Sequence, residues 1–171
     1  HTRYWRDWSS DVCSSDLENK NNLNIEVNDE NDEKQKNEDI ELSPEDQFQL
    51  AFDQIRNKNY DEAKVLLVTF IENNKTSQLS GSAHYWLGEL YILEKNYRES
   101  ALIFAEGYQK YPKSIKSADM LFKLSESLIQ INKNTEACNI LSQLEKEFPK
   151  NKLTQKIPNK KNELKCENSL E

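Results

Sequence analysis

The 171-residue chain carries 23 Lys and Arg against 30 Asp and Glu, a net charge of −7, with three glycines, four prolines and three cysteines. An acidic chain without clustered basic residues lacks the footprint of a phosphate-binding surface, which argues against nucleic acid as the partner. No run of about 18 apolar residues occurs, so the sequence offers no transmembrane helix.

In chain order, the first segment reads unlike the rest. His1 to Leu17 holds Trp5 and Trp8, two of the three tryptophans, together with Cys13. The run Asp7 to Leu17 looks like the translation of a common short-read sequencing adapter. Residues 1–17 are therefore expected to be non-native, with the true N-terminus and any signal peptide missing. Cys13 then drops out of the cysteine argument. From Glu18 to Asn37 the chain is rich in Asn, Glu and Asp, and Leu23, Ile25 and Val27 are its apolar residues. Such a stretch buries too little apolar surface to offset the entropy of ordering, so residues 18–42 read as a disordered acidic linker.

From Ser43 apolar residues recur at helical spacing. Ser43-Pro44-Glu45-Asp46 supplies an N-cap serine, a proline at the first helical position and acids in the first turn. The pattern predicts helices over 44–57, 60–74, 80–94, 97–110, 116–131 and 134–147. Polar turns close each pair at Lys58-Asn59, Lys95-Asn96 and Asn132-Lys133, and Pro112 and Pro149 follow the second helices of their pairs. Residues 151–171 are polar and basic, either a tail or, near Asn159 to Lys165, a capping helix. The run Lys156, Lys160, Lys161, Lys165 reads as solvated.

A 37-residue period runs through residues 43–150. Phe48, Tyr85 and Phe122 are one step apart, as are Leu50, Leu87 and Leu124, then Glu62, Glu99 and Glu136, then Leu67, Phe104 and Leu141. One period at several independent offsets marks a stacked repeat, whose use is generally a surface for partners. The expected fold is all-α: three helical hairpins in series.

The middle unit, with Leu87-Gly88, Tyr91, Ser100, Phe104, Gly107 and Tyr111-Pro112, resembles the tetratricopeptide repeat, and the resemblance implies a right-handed superhelix. The first unit departs from that pattern, with Gln54 for the usual aromatic and Lys75 for proline; the third has Leu128 and Leu141 where aromatics are common. The ordered set Ala83-His84-Tyr85-Trp86-Leu87-Gly88-Glu89-Leu90-Tyr91, Tyr111 to Asp119, Leu121 to Leu124 and Glu136-Ala137-Cys138 is similar to the C-terminal domain of the Tol-Pal-associated cell division coordinators of the CpoB (YbgF) family. Over Pro44 to Pro149 this resemblance implies a non-enzymatic periplasmic scaffold without cofactor. Its partners would be a TolA-like protein and a bifunctional penicillin-binding protein, and it would couple outer-membrane constriction to septal peptidoglycan synthesis. Members of that family trimerise through an N-terminal coiled coil, which this sequence does not contain. A tetratricopeptide lipoprotein of outer-membrane protein assembly is the alternative.

In the register of the repeat family, the inner face is lined by Phe48, Phe52, Ile55, Arg56, Tyr85, Glu89, Ile92, Phe122, Glu126 and Ile129. One reading is a partner-binding groove in which the column Phe48, Tyr85, Phe122 grips an apolar segment between acidic rims; the other is that these side chains pack between helices. The face lacks the Lys and Asn set that clamps a C-terminal carboxylate in chaperone-binding members of the family. His84 stands alone, without Cys or Asp at metal spacing, and reads as structural or surface. Cys138 and Cys166 are either two free thiols or a disulfide pinning the tail to the last hairpin. No Gly-rich phosphate loop, nucleophile–base pair or ligand cluster is present.

Overall fold

The computed structural model describes residues 42–166. The adapter-like segment 1–17 and the acidic residues 18–41 lie outside the described residues, and so do Glu167 to Glu171. The described residues form α1 (Pro44–Arg56), α2 (Tyr60–Asn73), α3 (Leu79–Leu93), α4 (Tyr97–Lys110), α5 (Ser117–Gln130), α6 (Asn134–Glu147), a 3-10 turn η1 (Lys152–Lys156) and α7 (Ile157–Leu164). All six helices expected from the sequence lie within one residue of their expected ends. Ser43 caps α1, its hydroxyl accepting from the Asp46 N–H, and Asn96 caps α4 through Glu99 N–H.

The 37-residue period is built into the backbone. Lys58, Lys95 and Asn132, one period apart, sit in the left-handed region at φ 63°, 60° and 60°. Each closes a helix-ending turn in which the next residue's N–H reaches back five residues, Asn59 to Gln54 O, Asn96 to Tyr91 O and Lys133 to Leu128 O. Between hairpins the hydroxyls of Ser80, Ser117 and Thr154 donate to the carbonyls of Asn74, Tyr111 and Phe148, again at 37-residue steps. Since Thr154 repeats this joint, η1 and α7 are the start of a fourth first-helix, cut short after Leu164. Ile157 lies one period beyond Met120 and two beyond Ala83, and all three are fully buried.

Side-chain volume is balanced within each hairpin. A Cβ placed on Gly88 would stand 2.6 Å from two carbons of the buried Phe104 ring. One period away on either side, Ala51 goes with Leu67 and Ser125 with Leu141, all at most 1% exposed, and the Ser125 hydroxyl donates to Phe122 O. Of these three pairs, the one with the bulkiest partner, Phe104, therefore has the smallest residue opposite it, as close packing demands. At the C-terminal end, Ile157 joins Leu121, Phe122, Leu141 and Leu144 in one cluster, with Leu153 and Leu164 packed against it. The Cys138 and Cys166 sulfurs meet in a disulfide with Cα atoms 5.7 Å apart, closing a separation of 28 residues. By chain entropy such a loop is worth about 3–4 kcal/mol.

Candidate partner-binding face

Successive first helices touch one another, α1 with α3 and α3 with α5, and no comparable contact joins successive second helices. The first helices therefore line the inner side of the stack. There α3, α4, α5 and α7 enclose a cleft of about 290 Å³. Ile92 and Ile129 give it apolar walls, while Tyr97, Lys123, Glu126, Gln130 and Lys160 supply polar groups.

Three of the residues expected at this face, Ile92, Glu126 and Ile129, come together in the cleft, and Glu89 stands beside it through Lys123. The rest do not join them. Tyr85 and Phe122 are 4% and 6% exposed, so these two rings of the column are core and not rungs of a gripping ladder, while Phe48 is half-buried. The physical reason is cover from the next unit: Lys116 lies 5.0 Å over the Tyr85 ring, and Lys160 and Lys156 lie 5.3 and 5.8 Å over Phe122. Phe48 packs on Phe70 and Phe52 on Trp86, with ring centroids 5.7 and 5.4 Å apart. Ile55 is buried, and Arg56 points outward to Asp53 at 3.4 Å.

The acidic rims are also neutralised. Lys123 Nζ stands 3.1 Å from Glu89 Oε1 and 3.9 Å from Glu126, and Lys160 Nζ stands 3.1 Å from Glu126. This Glu89–Lys123–Glu126–Lys160 ladder corrects the reading of Lys160 and Lys161 as free tail lysines, since Lys161 also pairs with Glu145 at 2.8 Å. Lys123 meets the mostly buried Glu89 carboxylate as an ion pair at 3.1 Å. Burial pushes the Glu89 carboxyl above its ordinary range, with Lys123 opposing. Sequence reasoning gave Lys160 a solvated tail and Lys123 no part in the site, although the two are one period apart, as are their partners Glu89 and Glu126.

On the outer side, two larger clefts open between second helices. One, about 580 Å³ between α2 and α4, has His84 at its floor. Its Nδ1 donates to Ser80 O at 2.7 Å, and burial lowers its basicity. His84 is thus a satisfied core residue. The other, about 830 Å³ between α4 and α6, is walled by Ala101, Leu102, Ala105, Leu128, Ile131 and Ile140. One period earlier the same space is filled by Lys64, which lies over the Tyr91 ring and pairs with Glu94. Ala101, Leu128 and Ile131 replace those three residues and leave the space open. Among the described residues no group of His, Cys, Asp and Glu could hold a metal, and no helix is long and apolar enough to cross a membrane.

Paired helices stacked at one period, with clefts between them, form a helical-repeat scaffold, an architecture generally used for protein interaction. A sequence profile of the tetratricopeptide repeat matches residues 119–151, the third hairpin. The structure is similar to that of the Yersinia enterocolitica type III secretion chaperone SycD, solved in complex with a peptide of the translocator YopD. That likeness has a TM-score of 0.60 and 18% identity, and covers 71% of this chain and 91% of the chaperone chain. No curated protein sequence matches the chain. The described residues thus have a tetratricopeptide-like helical-repeat fold.

Proposed function

We propose that this domain is the partner-binding module of a CpoB-like periplasmic scaffold in cell division, taking a TolA-like protein and a bifunctional penicillin-binding protein as partners. The ordered motifs of the middle and third units support that family. A disulfide is at home in an oxidising compartment, which supports the periplasm. The observation that carries a binding role is the inner cleft, where Ile92 and Ile129 lie between the alternating charges of Glu89, Lys123, Glu126 and Lys160. An extended or helical segment with one or two aliphatic side chains and charges of both signs fits such a surface. The chaperone of similar fold was solved with a peptide bound, which favours the same use of the scaffold.

The test is titration calorimetry of the full chain against a purified TolA-like periplasmic domain, with Ile129→Asp as the variant. Ile129 is half-buried at the cleft, so the variant folds and loses at least tenfold in affinity. Unchanged affinity in a folded Ile129→Asp protein removes the cleft as the binding site. No binding by the parent chain removes the CpoB-like assignment.

A further inference from the structure

The C-terminal helix is the element least able to stand alone. Eight residues are too few for an independent helix in water. Three things hold α7 in place: its apolar residues, with Ile157 fully buried in the end cluster and Leu164 packed against it; the pairs Lys160–Glu126 and Lys161–Glu145; and the bridge from Cys138 in α6 to Cys166. Ion pairs at this exposure contribute little. The helix ends in a left-handed turn at Lys165, whose successor Cys166 donates its N–H to Lys161 O, so the bridge grips the residue that closes the helix. In this position α7 covers the Phe122 ring and occupies Glu126, a wall of the inner cleft.

We propose that the Cys138–Cys166 bridge is a redox latch on α7, and that its reduction by a dithiol releases the helix and opens the third-repeat end of the inner cleft. A thiolate of the dithiol attacks one bridge sulfur, the S–S bond breaks, and the departing cysteine thiolate takes a proton. The second thiol of the reductant, as its thiolate, then displaces the remaining cysteine, which is also protonated. Two electrons and two protons pass to the protein, and the reductant leaves as a disulfide. Release uncovers Phe122 and takes Lys160 from Glu126, which keeps Lys123 at 3.9 Å, and Lys161 from Glu145. A partner segment with an apolar residue flanked by lysine or arginine would take over the contacts that α7 now makes. The release of the helix stands by itself; its consequence for binding rests on the inner-cleft reading above.

Hydrogen exchange followed by mass spectrometry on the full chain tests the latch, comparing untreated protein, protein reduced with dithiothreitol, and Cys166→Ser. Thiol labelling comes first: Cys138 and Cys166 should be unreactive in untreated protein and both reactive after reduction. Reduction and Cys166→Ser should each speed exchange across residues 157–164 by about 10²-fold or more, the factor that closure of this loop supplies. Residues 79–110 should stay protected. Labelling of Cys138 and Cys166 in untreated protein, or unchanged exchange at 157–164, would overturn the proposal. So would a loss of protection through 79–110, because the bridge would then staple the whole domain. No partner enters the readout, so failure of the latch and failure of the cleft as a binding site are seen separately.

Discussion

Between the first two hairpins Phe52 of α1 meets Trp86 of α3 edge to face, with centroids 5.4 Å apart. One period on, the same two positions hold Glu89 and Lys123, and one further they hold Glu126 and Lys160, each pair 3.1 Å apart. The hairpin ends run the opposite way. Asn74 donates to Gln47 at 3.0 Å in the first unit, His84 and Tyr111 lie 5.4 Å ring to ring in the second, and Leu121 and Phe148 share the apolar cluster in the third. A repeat stack thus needs a fixed backbone joint and enough buried area per unit, but leaves open where in the unit that area sits. The N-terminal end spends its apolar residues on the inner face. The C-terminal end moves them outward, under α7, and leaves a charged inner face.

The largest expected effect breaks this comparison at its apolar end. Trp86 is 3% exposed, and Trp86→Ala should cost about 3–5 kcal/mol in urea denaturation, independent of salt. A loss as small as that of a charged-pair variant one period on would mean that the apolar joint contributes no more than the charged one. Next, Gly88→Ala places a methyl group against the Phe104 ring and should cost about 1–3 kcal/mol. In Gly88→Ala with Phe104→Leu the hairpin acquires the Ala and Leu of the first unit, so the double variant should recover part of that loss. Strict additivity in the double-mutant cycle would refute the volume balance.

Much of this architecture was legible because its determinants are local. The N-cap at Ser43, the prolines and the turn residues Lys58, Lys95 and Asn132 act within a few residues, and the period multiplies each signal by three. Burial of Tyr85 and Phe122 was not legible. It depends on lysines supplied by the next unit, and for Phe122 on a C-terminal segment whose few apolar residues, Leu153, Ile157 and Leu164, are hidden among lysines. The outer clefts were invisible for another reason: they arise from differences between units, Ala101 for Lys64 and Leu128 for Tyr91, whereas a period is found by looking for sameness. The Glu89–Lys123 ladder lay between, readable from the period once charge signs are compared across it.

Acid titration sharpens the charged end. Burial raises the folded-state carboxyl of Glu89 above its ordinary value near 4.5, against the pull of Lys123 and with the help of Glu126 and Asp119. Below the ordinary value both states hold the proton and the group has no effect on stability. As pH rises through the window from 4.5 to the raised folded value, the unfolded chain ionises first. Stability is lost across that window and remains lower above it. Glu89→Gln removes this term, so the stability difference between variant and parent should shift toward the variant as pH rises through the window. A difference that is flat in pH would mean that Lys123 fully compensates the burial.

The smallest effect separates charge from cover at the last joint. Lys160 does two things at once: its ammonium pairs with Glu126, and the same side chain lies over the Phe122 ring. Lys160→Met keeps a stem of similar length without the charge. Its cost should be at most about 1 kcal/mol at low salt, as for other partly exposed pairs, and should vanish near 1 M salt, where the screening length falls to about 3 Å. Lys160→Ser removes the stem as well and uncovers Phe122, so its loss should exceed that of the Met variant and persist in salt. Equal losses in the two variants, both abolished by salt, would mean that the ion pair alone holds this joint and that the lysine stem adds nothing over the ring.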